Sequence, residues 1–306
     1  MTPPLLLVYR ALGLGDLLCG VPALRGLRDA HPGHRVVLAA PRALSPLARL
    51  SGAVDEVRDT RPLAVPDAAG ADLAVNLHGR GPESHRAVLA AGPRRLVAFA
   101  CAEVPESLPG PAWRPHEHEV HRWCRLLAES GIPADPARID LPAPPWPAPE
   151  PARGATLIHP GAASPARRWP AARWAAVARA ERDAGRRVAV TGSASERPMA
   201  EAIARDAALP PGAVLAGRTD LRALAAAVAA AACVLSGDTG VAHLATALGT
   251  RSVVLFGPTP PAEWGPPADR PQHVALHHGG CGDPHADAPD PALLAITVEE
   301  VLAAAA

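Results

Sequence analysis

The sequence predicts an α/β protein made of two successive units, each a parallel sheet covered by helices, and three observations carry that expectation. Short apolar runs of β type alternate with longer amphipathic stretches in both halves of the chain, the rhythm of βαβ units and a parallel sheet. Residues 142 to 151, Pro-Ala-Pro-Pro-Trp-Pro-Ala-Pro-Glu-Pro, can continue neither a helix nor a central strand and read as a stiff extended connector. Beyond that connector the alternation starts again. Domains are therefore expected over residues 1–147 and 148–306, with a cleft between the two sheet edges as the usual location for substrate.

In chain order, Leu5 to Val8 reads as the first strand, and Asp16 to Ala30 as the helix after it. Arg35 to Ala39, Leu73 to Leu77 and Leu96 to Phe99 continue the first sheet. A helix over Glu117 to Ser130 carries Val120, Cys124 and Leu127 on one side and is followed by Gly131, a usual stop signal. In the second half, strand Thr156 to His159 leads to a helix over Pro170 to Ala184, where proline suits the first turn and Gly185 follows the end. Strand Val188 to Thr191, helices 196–207 and 221–231, strand 233–235, helix 241–248, strand 252–255 and a last helix from Thr297 to Ala306 complete the pattern.

Composition narrows the chemistry. With 306 residues, 48% of them hydrophobic, the chain can bury a substantial core. Thirty basic and thirty acidic side chains cancel, so net charge recruits neither nucleic acid nor an anionic membrane surface. Every basic residue is arginine. A Walker-type phosphate loop and an internal aldimine both need a lysine, and both are therefore excluded. The five cysteines, at 19, 101, 124, 233 and 281, form no Cys-x-x-Cys pair and read as reduced thiols. Neither a signal peptide nor a membrane span is expected, since Leu5 to Val8 is too short for the first and Leu221 to Leu235 for the second. A cytoplasmic protein with at most peripheral membrane contact is expected.

Several strand-to-helix junctions carry residues suited to phosphate. Ser236-Gly237-Asp238-Thr239-Gly240-Val241-Ala242-His243 sets small and anion-friendly residues between an apolar strand and a helix start. Open parallel sheets bind ligands at such ends, and a helix N-terminus attracts phosphate oxygens. An ordinary capped turn, with Asp238 or Thr239 as N-cap, is the competing local reading. Gly13-Leu14-Gly15-Asp16 holds half a dinucleotide fingerprint, the third glycine being replaced by Leu18; Asp16 either projects toward a ligand or serves as a first-turn acid. His159-Pro160-Gly161-Ala162-Ala163-Ser164 is followed by Arg167 and Arg168, whose guanidinium groups match phosphate oxygens bidentately. In Thr191-Gly192-Ser193-Ala194-Ser195-Glu196, Glu196 could accept from a ribose diol or complete a capping box with Ser193. These three second-half junctions share one expected sheet edge, and their convergence favours a nucleotide site. In the first half, Asn76 to Gly81 ends a strand and offers His78 and Arg80 to an acceptor. The histidines at 116, 118 and 121 and at 277, 278 and 285 are read as surface residues rather than metal ligands, and no Asp-x-Asp motif is present.

Taken together, Leu14-Gly15-Asp16 with Pro22-Ala23-Leu24-Arg25, His159-Pro160-Gly161-Ala162 with Arg168-Trp169-Pro170, Gly192-Ser193 with Glu196, and Ser236 to Gly240 with His243 resemble glycosyltransferase family 9, the ADP-heptose:lipopolysaccharide heptosyltransferase family. The resemblance runs over nearly the whole chain. It implies a GT-B fold of two Rossmann-like domains, with the N-terminal one binding the acceptor and the C-terminal one the nucleotide sugar. It implies inverting transfer without a metal or other cofactor, Asp16 acting as general base. Donor contacts would come from Ser164, Arg167, Gly192, Glu196 at the ribose, Thr219 near the base, Asp238, Thr239, Gly240 and His243. Acceptor contacts are expected from Gly15, His78 and Arg80. Arg167 stands where the family usually has lysine, which keeps the charge but changes the shape.

The donor implied is ADP-heptose or another nucleotide sugar, and the acceptor a hydroxyl of a glycan, glycolipid or small molecule; a monomer is expected. Two other classes stay open at this stage. An NAD(P)-dependent oxidoreductase would use Gly13 to Asp16, but the second strand ends Val37-Leu38-Ala39-Ala40-Pro41 without a ribose-binding acid. A non-catalytic nucleotide-binding protein of the same fold is the other, and Asp16 argues against it.

Overall fold

The computed structural model describes residues 3–306. The chain divides into two compact units, Met1–Leu141 and Pro142–Ala306. In the first, the elements are β1 (Leu5–Tyr9), α1 (Leu14–Ala30), β2 (Arg35–Ala40), α2 (Ser45–Leu50), β3 (Glu56–Asp59), β4 (Leu73–Asn76), α3 (Glu83–Leu89), β5 (Leu96–Val97) and α4 (Glu119–Glu129). The second holds β6 (Thr156–His159), α5 (Ala171–Asp183), β7 (Val188–Val190), α6 (Arg197–Asp206), α7 (Leu221–Ala230), β8 (Cys233–Gly237), α8 (Gly240–Ala247), β9 (Ser252–Leu255), α9 (Pro261–Trp264), β10 (His273–Leu276), α10 (Pro291–Ala295) and α11 (Val298–Ala305).

Both sheets are five-stranded and their strands pair in parallel, in the orders β3-β2-β1-β4-β5 and β10-β9-β8-β6-β7. Each order reverses once, between β1 and β4 in the first unit and between β6 and β8 in the second. Ligands of open α/β sheets bind at such reversals, beyond the carboxyl ends of the strands. The reversals therefore single out the loops after β1 and β4 in one unit and after β6 and β8 in the other.

Sequence explains the central strands directly. Helices cover both faces of a parallel sheet, so its inner strands are apolar on both sides, as in Leu6-Leu7-Val8-Tyr9 and Cys233-Val234-Leu235, all buried. Tryptophans fill the second core, where Trp169 and Trp174 meet edge to face with ring centroids 4.9 Å apart. The Trp169 indole N–H donates to the Ile296 carbonyl at 3.2 Å and ties the start of α5 to the C-terminal segment.

The structure adds elements at the sheet edges and trims others. The charged run Glu56-Val57-Arg58-Asp59 is an edge strand, β3, and His273–Leu276 forms the opposite edge in the second sheet. Both strands are largely half-exposed, so the apolar signal fades there. The expected strand 96–99 ends at Val97, because the chain turns aside and the Ala100 amide donates to Pro111. Gly110 makes that crossing possible, since a Cβ there would lie 1.9 Å from the Ala98 carbonyl oxygen. Strand β8, expected to end at 235, runs on to Gly237. Helix α4 begins at Glu119 rather than 117, with His118 as N-cap. Among the described residues, no helix is long and apolar enough to cross a membrane.

Candidate active site

In the first unit, the reversal between β1 and β4 brings Asp16 and His78 toward one edge of the sheet. Gly13 is the N-cap of α1 and Asp16 its third residue, so the Asp16 carboxylate folds back to accept the Gly13 amide at 3.1 Å. That bond is the first-turn role open to Asp16 from sequence. It uses one oxygen, Oδ2, while Oδ1 lies 3.7 Å from the Arg10 guanidinium, and the side chain stays 27% exposed. Gly15 sits in the same opening turn.

The loop after β4 is organised by Asn76, whose side-chain carbonyl accepts the His78 amide at 2.9 Å while its amide nitrogen donates to Ser84 at 3.0 Å. The His78 ring packs on Tyr9 with centroids 5.0 Å apart, and among the described residues its buried Nδ1 has no hydrogen-bond partner. Burial, reinforced by the Arg10 charge and opposed by Asp16, holds the His78 imidazole down to about 4. At neutral pH His78 is thus an uncharged imidazole. Arg80 is exposed in the same loop.

Sequence reasoning missed Arg10. It directly follows the apolar β1 and is fully buried, with its guanidinium over the Trp123 ring at 4.9 Å. Its N–H groups donate to the backbone carbonyls of Asp16 and Leu77 and, at 3.0 Å, to Glu119 Oε1. Glu119 in turn accepts from the Trp123 indole at 2.7 Å and from Arg122, and these cationic and N–H partners overcome burial to hold its carboxyl below the usual range. A charged residue closing an otherwise apolar strand was the available signal; a buried charge needs a partner.

In the second unit, the loops after β6 and β8 meet. Thr239 is the N-cap of α8 in extended conformation, and its hydroxyl makes no capping bond. Arg167 Nη1 donates to the Asp238 carbonyl at 3.3 Å and lies 3.7 Å from Asp238 Oδ2. A Cβ on Gly237 would lie 3.0 Å from the Arg167 carbonyl oxygen, so glycine permits this close approach. Arg167 Nε, Ser236 Oγ and Thr239 Oγ1 are buried without a hydrogen-bond partner among the described residues. Buried polar atoms are ordinarily satisfied, so three unsatisfied ones on adjoining segments mark a place where an external group would complete the set. Gly240 opens α8, and His243, one turn on, meets Trp264 edge to face at 5.8 Å.

Ser164 faces inward instead. Its hydroxyl accepts the Ala166 amide at 3.3 Å and donates to the Ala286 carbonyl at 3.2 Å. The loop around 286 thereby braces the Arg167 turn, with further bonds from the Ala166 amide to Ala286 and from the Asp290 amide to Ala166, both at 3.1 Å. From sequence, residues 279 to 291 read as a loop without a role, since bracing through backbone carbonyls leaves no side-chain pattern.

Glu196 closes the β7 junction, accepting the Ser193 amide at 2.7 Å and the Ser193 hydroxyl at 2.8 Å. A capping box at Ser193 does not form, because α6 starts later, with Glu196 itself as N-cap. Gly161 and Gly192 lie against Glu196, and a Cβ on Gly161 would be 1.9 Å from Glu196 Oε1. The Gly217 amide donates to the Gly192 carbonyl at 3.0 Å, which sets the loop carrying Thr219 beside the Glu196 junction. His159 lies half-buried beneath, its Nδ1 3.0 Å from the Thr191 hydroxyl, and desolvation lowers its pKa while Glu196 opposes the shift. No group of three or more His, Cys, Asp or Glu side chains suited to a metal occurs among the described residues.

Comparisons with known proteins agree with this architecture. The profile of glycosyltransferase family 9 (heptosyltransferase) matches residues 111–286, more than half of the chain; Ser164, Arg167, Gly192, Glu196, Thr219, Asp238, Thr239, Gly240 and His243 lie inside that span, whereas Asp16 and His78 lie outside it. Escherichia coli ADP-heptose lps heptosyltransferase II shares the fold with a TM-score of 0.75 at 22% identity, over 100% of this chain and 97% of that one. E. coli heptosyltransferase WaaC, solved with ADP-2-deoxy-2-fluoro heptose, gives 0.70 at 19% identity and 98% coverage of both chains. TibC, an iron-containing dodecameric glycosyltransferase from enterotoxigenic E. coli H10407, gives 0.63 at 17% identity, over 99% of this chain and 75% of its own. No curated protein sequence matches the chain. Two parallel Rossmann-like units of the GT-B class and the family profile together lead to one statement: the chain is a glycosyltransferase and belongs to glycosyltransferase family 9, the heptosyltransferase family.

Proposed function

We propose that the protein transfers a heptose or related sugar, with inversion and without a metal, from ADP-heptose or another nucleotide sugar to a hydroxyl of a glycan, glycolipid or small molecule. The observation that carries the donor half is the uncapped start of α8, with buried and unpartnered Thr239 Oγ1, Ser236 Oγ and Arg167 Nε beside it. A diphosphate would supply acceptors to this set, and the helix N-terminus favours its charge. Glu196 and Thr219 lie on adjoining loops at the same sheet edge, and we assign them to the ribose and the base. Gly192, packed closely against Glu196, is assigned to the donor as well, and His243 to the sugar side of the diphosphate. The structure of WaaC with an ADP-sugar analogue supports a nucleotide sugar as donor. We place the reaction in the cytoplasm, where nucleotide sugars are made.

On the acceptor side we assign Asp16 as general base and Gly15, His78 and Arg80 as contacts. The Asp16 carboxylate takes the proton of the acceptor hydroxyl while that oxygen attacks the anomeric carbon. The bond from the anomeric carbon to the diphosphate oxygen breaks, and its electron pair leaves with ADP. Charge grows on the diphosphate in that step, where Arg167 and the α8 amides stabilise it from fixed positions. Asp238, which carries the Arg167 contact, holds that guanidinium in place. An uncharged His78 suits recognition of sugar hydroxyls, because it can both donate and accept.

The test is turnover of Asp16→Asn. The variant is expected to bind ADP like the parent and to lose about a hundredfold or more in kcat, the scale of a general base. Turnover at the parental rate would remove Asp16 from the chemistry.

A further inference from the structure

Four charges meet behind the first-unit site. Arg10 and Arg122 carry two positive charges, Glu119 and Asp16 two negative ones, and Arg10 is the member that touches both carboxylates. Its side chain is wholly buried, so its placement is set by packing and bonds rather than by solvent. Trp123 lies under the guanidinium plane, Glu119 accepts at one end, and the backbone carbonyls of Asp16 and Leu77 accept at the others. A planar fork with five donors can hold three acceptors in fixed directions at once, which an ammonium cannot.

The neighbouring helix is shaped for this guanidinium. Gly20 sits inside α1, where glycine destabilises a helix relative to alanine. A Cβ at that position would lie 3.1 Å from both Cδ and Nε of Arg10. The missing methyl is the space through which Arg10 passes. Two distinct compromises, an interior glycine and a buried arginine with its own buried counter-ion, serve one placement.

That placement has a consequence for the site. Arg10 bonds the carbonyl of Asp16 itself and the carbonyl of Leu77, the residue before His78. It therefore holds the backbone of both loops at the sheet reversal, while its charge stands 3.7 Å from Asp16 Oδ1. We infer that Arg10, locked by Glu119 and Trp123 in the space left by Gly20, is the positioning residue that aims the Asp16 carboxylate and registers it against His78. The inference rests on the assignment of Asp16 as base. Arg10 acts only through that carboxylate and the His78 loop; it touches no reacting atom.

The experiment is a double-mutant cycle on kcat with a nucleotide-sugar donor, using Arg10→Met, Asp16→Asn and the pair, with circular dichroism and ADP affinity measured on each. Arg10→Met is expected to lower kcat about tenfold or more, the scale of losing alignment, with ADP affinity unchanged. In the Asp16→Asn background the same change should alter kcat by less than about twofold, since residues acting as a unit are non-additive. Multiplying effects, or a parental kcat for Arg10→Met, would overturn the positioning role while leaving Asp16 as base. A parental kcat for Asp16→Asn would overturn both. Should Arg10→Met fail to fold, Gly20→Ala keeps every charge and presses on the Arg10 side chain at Cδ and Nε; it should lower kcat at constant ADP affinity, and Arg10→Lys should likewise fall short of the parental rate. An unchanged kcat for Gly20→Ala would also overturn the inference.

Discussion

Gly161→Ala tests the nucleotide half of the site through a residue that makes no polar side-chain contact of its own. The added Cβ would fall 1.9 Å from Glu196 Oε1, 2.3 Å from Cδ and 2.8 Å from Oε2, so the carboxylate must move. Moving it breaks its bonds to the Ser193 amide and hydroxyl, at 2.7 and 2.8 Å, and takes it away from the place proposed for the ribose. Hydrogen bonds to a charged group contribute about 1.5–3 kcal/mol each, but Ser193 is exposed and water replaces most of that loss. The proposed ribose contact would have no such replacement. About 2 kcal/mol of binding should therefore be lost, a rise of about thirtyfold in the ADP dissociation constant, at about 1.4 kcal/mol per decade. Isothermal titration calorimetry of ADP against parent and variant measures it directly. A dissociation constant within twofold of the parent would refute Glu196 as a nucleotide contact.

Two further outcomes follow from burial. The His78 imidazole is held at about 4 against an ordinary 6.5, so between those values the folded protein binds fewer protons than the unfolded chain. Its stability contribution is accordingly complete above about 6.5 and is lost as pH falls toward 4; partial solvent exposure discounts the full linkage value to about 1–2 kcal/mol. Chemical denaturation of the parent and His78→Gln from pH 7 to 4 should show a shallower acid loss in the variant, even though the depressed His85 and His159 add a common background of the same sign. Equal slopes would contradict a buried neutral His78. At Gly110, alanine would set a Cβ 1.9 Å from the Ala98 carbonyl oxygen, a backbone atom that cannot rotate away. Overpacking of this kind costs about 3 kcal/mol, and the first unit should melt about 6–12 °C lower in a thermal scan. A melting temperature within about 2 °C would show that the 98–111 crossing is pliable.

The sequence made the fold legible where burial is two-sided. Leu5 to Val8, Arg35 to Ala39, Thr156 to His159 and Ser252 to Leu255 are strands because helices leave them no polar face. β3 and β10 give no such signal, because both are largely half-exposed and Glu56, Arg58 and His273 break the apolar run. The loops after β6, β7 and β8 could be located because small residues between an apolar strand and a helix start mark such junctions. Their bracing could not, since Ala286 holds Ser164 and Ala166 through its backbone carbonyl alone. Arg10 shows a third limit. Its meaning depends on Glu119 and Trp123, more than a hundred residues away, and on the space at Gly20, none of which local spacing reveals.

The proposed site puts the nucleotide in the second unit, with its diphosphate at the start of α8, and gives the Gly13 to Asp16 turn to the acceptor. A crystal structure of the protein with ADP tests this most directly. Phosphate oxygens are expected within hydrogen-bond reach of Thr239 Oγ1, the Gly240 amide and Arg167, with the ribose at Glu196. Density for ADP at the Gly13 to Asp16 turn, with the α8 terminus bare, would contradict it and would return the first unit to a dinucleotide-binding role.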